Sequence, residues 1–244
     1  MQNNVEEMTD CLKRVVEMMN VAVNEHQYLL FERFYSFLLE YNKNVNLTRI
    51  IEPRDVAVKH FGDSLLVLSA KDFLLRCAVI DVGTGAGFPG IPIAIMRPDL
   101  QITLADSLRK RTVFLSEAVQ RLELENVKVV WARAEEMGRD PLYREKYDVV
   151  LARAVAPLNV LAELCLPLLK REGVFLAMKG PKACDELLLS QGAIKKLGGF
   201  VLSTEIAPLP LAEEIRTLIR IGKNRSTPAI YPRKAGIPER QPLT

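Results

Sequence analysis

Short apolar runs alternate with amphipathic segments from residue 77 to residue 198. The apolar runs are short, rich in Val, Ile, Leu and Ala, and typical of strands buried on both faces. They occupy residues 77–82, 101–105, 127–131, 147–151 and 173–177, and helical segments are predicted near residues 90–97, 108–122, 157–170 and 183–198. Strand and helix in alternation predict a mainly parallel sheet with helices on both of its faces.

Both ends of the chain depart from this alternation. Residues 200–204 and 217–221 are apolar and are separated by turn-forming prolines, which predicts a closing antiparallel pair and seven strands in all. The first 40 residues show two apolar stripes of helical period, and another helical stretch starts near Pro53. We therefore expect an N-terminal helical cap over residues 1–69, a core over residues 70–222 and an extended basic tail over residues 223–244.

Composition limits the class of protein. The chain has 244 residues, of which 49% are hydrophobic and 26% charged, as in an ordinary globular protein. The longest uncharged stretch, residues 82–96, is too short to cross a membrane, and the N-terminus lacks an apolar signal core. The four cysteines are scattered without metal-ligand spacing, which favours reduced thiols in the cytoplasm and no bound metal.

The net charge of +3 hides a strong asymmetry along the chain. Residues 1–40 carry seven acids and three bases, whereas residues 216–244 carry seven bases and one acid. A basic C-terminal end favours an anionic partner, although a solvated charged surface explains the pattern equally well.

A glycine loop follows the first predicted strand and opens a helix. Such a loop lies at the carboxyl end of the sheet, where ligands of open α/β folds bind, and Gly83 and Gly85 allow the backbone to approach a ligand closely. Residues 85–90 match the dinucleotide pattern GxGxxG, and Asp106 lies where its ribose-binding acid belongs. The strand, however, leads directly into Gly83, with Asp81 two residues before it. An acid there suits S-adenosylmethionine (SAM), a cation without phosphate, so SAM is favoured over NAD.

Further candidates lie at the ends of the other predicted strands. Asp106 follows the second strand and can accept hydrogen bonds from ribose hydroxyls or act as a helix N-cap. Ala134 and Glu135 follow the third strand, where an adenine would lie, or simply begin a helix. Arg153 follows the fourth strand, at the edge where a reaction would take place.

Seven motifs now point to a known family. They are Asn-Leu-Thr at residues 46–48, Lys-His-Phe-Gly-Asp-Ser at 59–64, the glycine loop at 81–92, Asp-Ser-Leu-Arg-Lys-Arg at 106–111, Ala-Arg-Ala-Val-Ala-Pro-Leu at 152–158, Lys-Gly at 179–180 and Tyr-Pro-Arg-Lys-Ala-Gly-Ile-Pro at 231–238. Occurring together and in order, they resemble the ribosomal small-subunit methyltransferase G family, also called glucose-inhibited division protein B, over about residues 40–240.

The resemblance implies a Rossmann-like class I SAM-dependent methyltransferase fold and a bacterial cytoplasmic enzyme. It implies methylation of guanine N7 in 16S ribosomal RNA, with the RNA or a 30S assembly particle as partner and with neither a membrane nor a metal involved. Together with Asp81 and Gly85, the predicted SAM-binding residues are Gly83, Phe88, Asp106, Ser107, Leu108, Ala134, Glu135 and Arg153. Phe88 and Ser107 rest on the resemblance alone.

The acceptor side is less sharply predicted. Guanine N7 carries a lone pair and no proton, so no general base is expected; Arg153 and His60 are candidates for a place near the acceptor. His60 and Asp63 share a helix face, either as a packed polar pair or beside the target base. Tyr231 either stacks on a base or anchors the tail. The candidate phosphate contacts are Arg109, Lys110, Arg111, Lys179, Arg225, Arg233 and Lys234.

Three other functions fit part of the pattern. A small-molecule SAM-dependent methyltransferase would leave the basic tail without a role. An NAD-dependent oxidoreductase would use residues 85–90 as its dinucleotide loop, and a non-catalytic RNA-binding module would keep the loop without the reaction.

Overall fold

One sheet of seven strands runs through the computed structural model, which describes residues 2–70, 72–153 and 156–244. In chain order the strands are β1 (Ala78–Val82), β2 (Gln101–Asp106), β3 (Val127–Trp131), β4 (Tyr147–Arg153), β5 (Leu169–Lys179), β6 (Gly199–Pro208) and β7 (Ile215–Lys223). They lie side by side in the order β3-β2-β1-β4-β5-β7-β6. Strands β1 to β5 are parallel, and β7 runs antiparallel to both β5 and β6. The predicted sheet and its antiparallel edge pair are confirmed, with the reversed strand one place in from the edge.

The strand order reverses between β1 and β4. From β1 the chain builds outward to β2 and β3, then crosses back to β4 on the other side. Open α/β sheets form a crevice at the carboxyl ends of the strands where this reversal occurs. The end of β1, which leads into the glycine loop, therefore faces the end of β4 and Arg153 across that crevice.

Helices cover both faces of the sheet. The N-terminal pair is α1 (Gln2–Met18) and α2 (Glu25–Asn42), and α2 begins with a capping box in which Asn24 and Gln27 bond to each other's backbone N–H. The next helical stretch changes winding along its length, as α3 (Pro53–Asp55), a π-helical segment (Val56–Gly62), α4 (Asp63–Leu65) and a 3₁₀ segment (Leu66–Ala70). The remaining helices are α5 (Gly90–Met96), α6 (Arg109–Arg121), α7 (Ala134–Met137), α8 (Leu158–Cys165), α9 (Ala183–Lys196) and α10 (Ile237–Arg240).

The predicted helix over residues 157–170 is wrong at its C-terminal end. Helix α8 stops at Cys165, and β5 begins at Leu169, four residues before the predicted start of the strand. Pro167 explains the early stop, because proline has no N–H for the helix ladder and its ring clashes with the carbonyl four residues before it. The apolar residues around it fit either period, so hydrophobicity alone did not mark this boundary.

The helical cap and the tail both pack onto the sheet. One apolar cluster joins α1 and α2 to β1, β2, α5 and α6, and a second joins α8, α9 and the tail to the opposite face. Phe34 of α2 is fully buried and lies against Phe61, Phe88 and Phe114, so it links the cap to the glycine loop and to α6. The division into cap, core and tail stays a prediction of the sequence.

The described residues were also compared with the requirements for a membrane span, a disulfide and a metal site. None of their helices is long and apolar enough to cross a membrane. All four cysteines are free thiols, and no three His, Cys, Asp or Glu side chains in this part of the chain are grouped to hold a metal ion.

Phe34→Ala tests how firmly the cap is joined to the core. Truncating a fully buried phenylalanine leaves a cavity, so we expect the free energy of unfolding to fall by about 3–5 kcal/mol in urea denaturation. Leu29→Ala, on the same helix but half exposed, should change it by about 0.5 kcal/mol at most. Equal effects of the two variants would contradict the packing described here.

Candidate active site

The glycine loop turns sharply at the end of β1. Gly83 and Gly85 have φ values of 70° and 62°, which favour glycine, and the carbonyl of Ala105 on β2 accepts the N–H groups of Gly83 and Thr84 at 2.9 and 3.2 Å. A Cβ atom added at Gly85 would meet no other atom within 4 Å. The loop is thus fixed from the sheet side and open on the other side, as a cradle for a ligand requires.

Asp81 holds the loop from beneath. Its side chain is fully buried, and Oδ2 accepts hydrogen bonds from Thr84 Oγ1 at 2.6 Å and from the Gly90 N–H at 2.9 Å. Oδ1 has no partner among the described residues. Burial raises the pKa of this carboxyl to about 6. A buried carboxylate oxygen without a partner favours a cationic group close to the loop.

Asp106 connects the loop to α6. At the end of β2, its Oδ1 accepts the Leu108 N–H at 2.8 Å, and its Oδ2 accepts the Gly85 N–H at 3.0 Å and lies 3.3 Å from a guanidinium nitrogen of Arg111. The carboxylate therefore ties the glycine loop to the turn that leads into α6. The N-cap of α6 is Leu108 and not Asp106, and the ribose-binding role of Asp106 stays a prediction. Next to it, the Ser107 carbonyl accepts the indole N–H of the exposed Trp131 at 3.0 Å.

A cavity of about 830 Å³ lies over the carboxyl ends of β1, β4 and β5. We call its loop face the cofactor side, formed by Gly83, Thr84, Gly85, Ala86, Phe88 and Arg111. The opposite face, called the acceptor side, is formed by Leu47, Thr48, Ile50, Lys59, His60, Asp63, Met178, Lys179, Gly180, Glu214 and Arg216. Arg153 lines the cavity between the two sides. Six predicted cofactor residues lie outside this lining: Asp81 beneath the loop, and Asp106, Ser107, Leu108, Ala134 and Glu135 at or just after the ends of β2 and β3.

Arg153 links the two sides of the cavity. Its guanidinium donates to Asp63 Oδ2 at 3.1 Å, to the Lys59 carbonyl at 3.1 Å and to His60 Nδ1 at 3.3 Å. It also lies 5.4 Å from the centre of the Phe88 ring, within range of a cation–π contact. The other Asp63 oxygen accepts from Arg216 Nε at 3.1 Å. Two of the motifs, at residues 59–64 and 152–158, therefore meet at this arginine; residues 154 and 155 of the second motif lie outside the described residues.

His60 is a buried, neutral side chain. Its ring stacks on Phe88 with the centroids 4.1 Å apart, and only 5% of the residue is exposed. Burial, with the nearby charge of Arg153 in second place, lowers the pKa of His60 to about 3. Its Nε2 lies 3.0 Å from Thr48 Oγ1. The structure brings His60 and Asp63 together on Arg153, as the shared helix face suggested.

Several residues of the acceptor side were not predicted from sequence. Lys59 Nζ lies 3.3 Å from Glu214, and Arg216 donates to the same carboxylate at 2.9 Å. Thr48 and Lys59 belong to two of the sequence motifs, so those motifs could have indicated that both residues lie at the site. Glu214 and Arg216 stand at the start of β7, and only the reversed direction of that strand brings them to the crevice.

The predicted phosphate contacts differ in how accessible they are. Arg109, Lys110, Arg225 and Lys234 are exposed. Arg111 is held by Asp106. Lys179 is 7% exposed and donates to the Ala156 carbonyl and to Glu186, both at 2.7 Å. These side chains remain predicted RNA contacts, and the exposed four are the most available to an RNA.

The tail is tied down by buried polar contacts. Glu163 of α8 is fully buried and accepts from the Arg233 N–H at 2.8 Å and from the Arg233 guanidinium at 2.6 Å. Arg144 donates to the carbonyls of Thr227 and Tyr231. Tyr231 itself is 9% exposed and packs in the second apolar cluster, as expected of an anchor for the tail.

Arg233→Ala should destabilise the fold. It leaves the Glu163 carboxylate buried without its ion pair, and we expect a loss of about 3–5 kcal/mol in the free energy of unfolding. The adjacent, exposed Lys234→Ala is the matched control, with an expected change of about 0.5 kcal/mol at most. Adding Glu163→Gln to Arg233→Ala should recover part of the loss; a tail that is only loosely attached would give no difference among these variants.

Asp81→Asn tests the buried carboxylate through pH. Its raised pKa means that the folded protein holds the proton more tightly than the unfolded chain, so the carboxyl lowers stability as pH rises from its ordinary pKa of 3.8 to about 6. Asparagine does not titrate, and its amide oxygen can still accept from Thr84 and Gly90. At roughly 1.4 kcal/mol per pKa unit, urea unfolding should show wild type losing up to about 3 kcal/mol relative to the variant across this window. A constant difference would contradict the buried, half-partnered carboxylate.

Comparison with known proteins identifies the family. The family model described as rRNA small subunit methyltransferase G (GidB) matches residues 27–212. Two proteins named ribosomal RNA small subunit methyltransferase G, from Desulforamulus reducens and Pelotomaculum thermopropionicum, are each 48% identical over 97% of this chain and 99% of their own length.

Solved structures share the fold at low sequence identity. A mutant 16S rRNA (adenine(1408)-N(1))-methyltransferase from Catenulisporales acidiphilia, solved with its cosubstrate SAM, is similar with a TM-score of 0.51 and 15% identity, over 66% of this chain and 91% of that chain. The implied class I methyltransferase fold is confirmed. The chain belongs to the rRNA small subunit methyltransferase G family, a family of SAM-dependent enzymes that act on the RNA of the small ribosomal subunit.

Proposed function

We propose that this protein transfers the methyl group of SAM to N7 of a guanine in 16S ribosomal RNA. The observation that carries the proposal is the cavity with two unlike sides: a glycine cradle backed by a carboxylate with a free oxygen, and a polar acceptor side formed by the helical cap and β7. Membership of the family supports the same activity and disfavours an NAD-dependent oxidoreductase.

The cofactor side has the groups that SAM requires. Gly85 leaves room for a ligand against the loop, and Asp81 Oδ1 suits the positive charge that SAM carries near its sulfonium and ammonium groups. Asp106 faces the loop and can accept from the ribose hydroxyls, with Ser107, Leu108, Ala134 and Glu135 on the adenine side of that carboxylate. When bound, SAM supplies a methyl carbon already activated for displacement.

The acceptor side suits a nucleophile that needs no base. His60 is neutral and engaged at both ring nitrogens, and both oxygens of Asp63 accept from arginines. Guanine N7 has an in-plane lone pair and no proton to lose, so these residues act by holding the base in line with the methyl group.

The exposed lysine and arginine side chains suit an RNA with an accessible guanine. Arg109, Lys110, Arg225 and Lys234 are available for phosphates, and a base that enters the cavity must first be unstacked. We propose 16S rRNA, free or in a 30S assembly particle, as the partner. This substrate favours a cytoplasmic location for the protein.

Gly85→Ala tests the cofactor side. The new Cβ would point into the open cradle and demand a positive φ, so calorimetry should show at least a tenfold weaker SAM affinity, while the fold remains with a loss of about 1–2 kcal/mol. Gly180→Ala is the control, since its Cβ also meets nothing within 4 Å but its φ is not positive. Unchanged SAM affinity in Gly85→Ala would contradict the role of the loop.

The substrate is tested with 30S subunits and with naked 16S rRNA from a strain that lacks the gene. Incubation with SAM and the protein should create one N7-methylguanosine, mapped by reduction and aniline cleavage or by mass spectrometry. A methyl group on another atom, or none on either RNA, would overturn the proposal.

A further inference from the structure

A chain of hydrogen bonds with one direction runs from Arg153 to Thr48. A guanidinium can only donate, so the 3.3 Å contact with Arg153 favours His60 Nδ1 as an acceptor, and the nearby Lys59 carbonyl is already occupied by a hydrogen bond from Arg153. A neutral imidazole has one N–H, which therefore resides on Nε2, and it donates to Thr48 Oγ1 at 3.0 Å. The low pKa of His60 agrees with the neutral ring.

The acceptor capacity of the Thr48 hydroxyl is then full. A hydroxyl oxygen accepts at most two hydrogen bonds, and the second comes from the Ile50 N–H at 3.1 Å. What remains is the hydroxyl proton, for which the described residues offer no acceptor. Thr48 lines the cavity, so this proton is available there to a bound molecule.

The hydroxyl is also fixed in place. The Asn42 side chain accepts the Thr48 N–H at 3.0 Å and donates to the Thr48 carbonyl at 3.0 Å, which clamps the backbone on both sides. His60, which directs the hydroxyl, stacks on Phe88 of the cofactor side. The His60 ring lies between Thr48 and Phe88 of the glycine loop, so Thr48 is a preorganised donor one side chain away from the cofactor side.

We propose, on the basis of the proposed function, that the Thr48 hydroxyl donates to O6 of the target guanine and selects guanine over adenine. A base methylated at N7 presents its N7 edge to the methyl group, at the boundary between the cofactor side and the acceptor side. On that edge guanine offers N7 and O6, both acceptors, whereas adenine offers N7 and an amino group that donates. Because its lone pairs are occupied, the Thr48 hydroxyl cannot reverse to accept from an amino group.

The experiment compares Thr48→Val with wild type on RNA substrates that differ at the target base. The substrates are 30S particles reconstituted with guanine, inosine, which keeps O6 but lacks the 2-amino group, or 2,6-diaminopurine, which replaces O6 with an amino group. Wild type should methylate guanine and inosine and should disfavour 2,6-diaminopurine. Thr48→Val should lower kcat/KM on guanine about tenfold, as expected for one lost hydrogen bond, and reduce the discrimination against 2,6-diaminopurine by a similar factor.

Two further variants and one binding measurement separate recognition from structure. Thr48→Ser keeps the hydroxyl and should recover most of the lost activity and discrimination. Thr204→Val makes the same chemical change on the exposed face of β6 and should behave as wild type. SAM affinity of Thr48→Val, measured by calorimetry, should stay within about twofold of wild type, because Thr48 lies on the acceptor side.

The outcomes distinguish this inference from the proposed function. Thr48→Val with unchanged discrimination, or with SAM affinity lost in parallel with activity, would overturn the role of Thr48 while wild-type methylation of guanine N7 stands. A wild type that does not methylate guanine N7 would overturn the proposed function and this inference with it.

Discussion

The ion pair between Arg153 and Asp63 joins the two halves of the molecule. Arg153 comes from the end of β4, and Asp63 from the helical stretch of the cap, so the pair lies where the cap meets the sheet. Both side chains are largely buried, and an isolated charge in such a place would cost several kcal/mol. Arg153 therefore depends on Asp63, while Asp63 is shared between Arg153 and Arg216, and together these contacts hold the helical stretch of residues 53–70 against the ends of β4 and β7.

Neighbouring charges extend this pair into an alternating row. Arg216 follows Asp63, Glu214 follows Arg216, and Lys59 follows Glu214, each within 3.3 Å of the next. Alternation leaves little net charge on the acceptor side, so this face suits a neutral ligand held by directed hydrogen bonds more than an anion. The predicted phosphate contacts that are exposed lie outside the cavity.

The sheet and the turn of the glycine loop were predictable because their signals are local. A strand followed by Gly83 and Gly85 determines its own turn, and an alternation of strand and helix determines a parallel sheet. The acceptor side could not be predicted in the same way. Glu214 and Arg216 reach it through the long-range pairing of β7 with β5, which no local pattern encodes. The ion pairs of Lys179 and Arg233 escaped prediction for a related reason: their partners, Glu186 and Glu163, lie on separate helices.

Trp131 makes the tryptophan fluorescence of this protein a signal from a single place. It is the single tryptophan of 244 residues, more than half exposed, with its indole N–H bonded to the Ser107 carbonyl and Arg109 lying 5.3 Å from its ring centre. Indole emission depends on the polarity and charge of its surroundings. All tryptophan fluorescence of the protein therefore arises at the end of β3, beside the predicted adenine side, with no second indole to mask it.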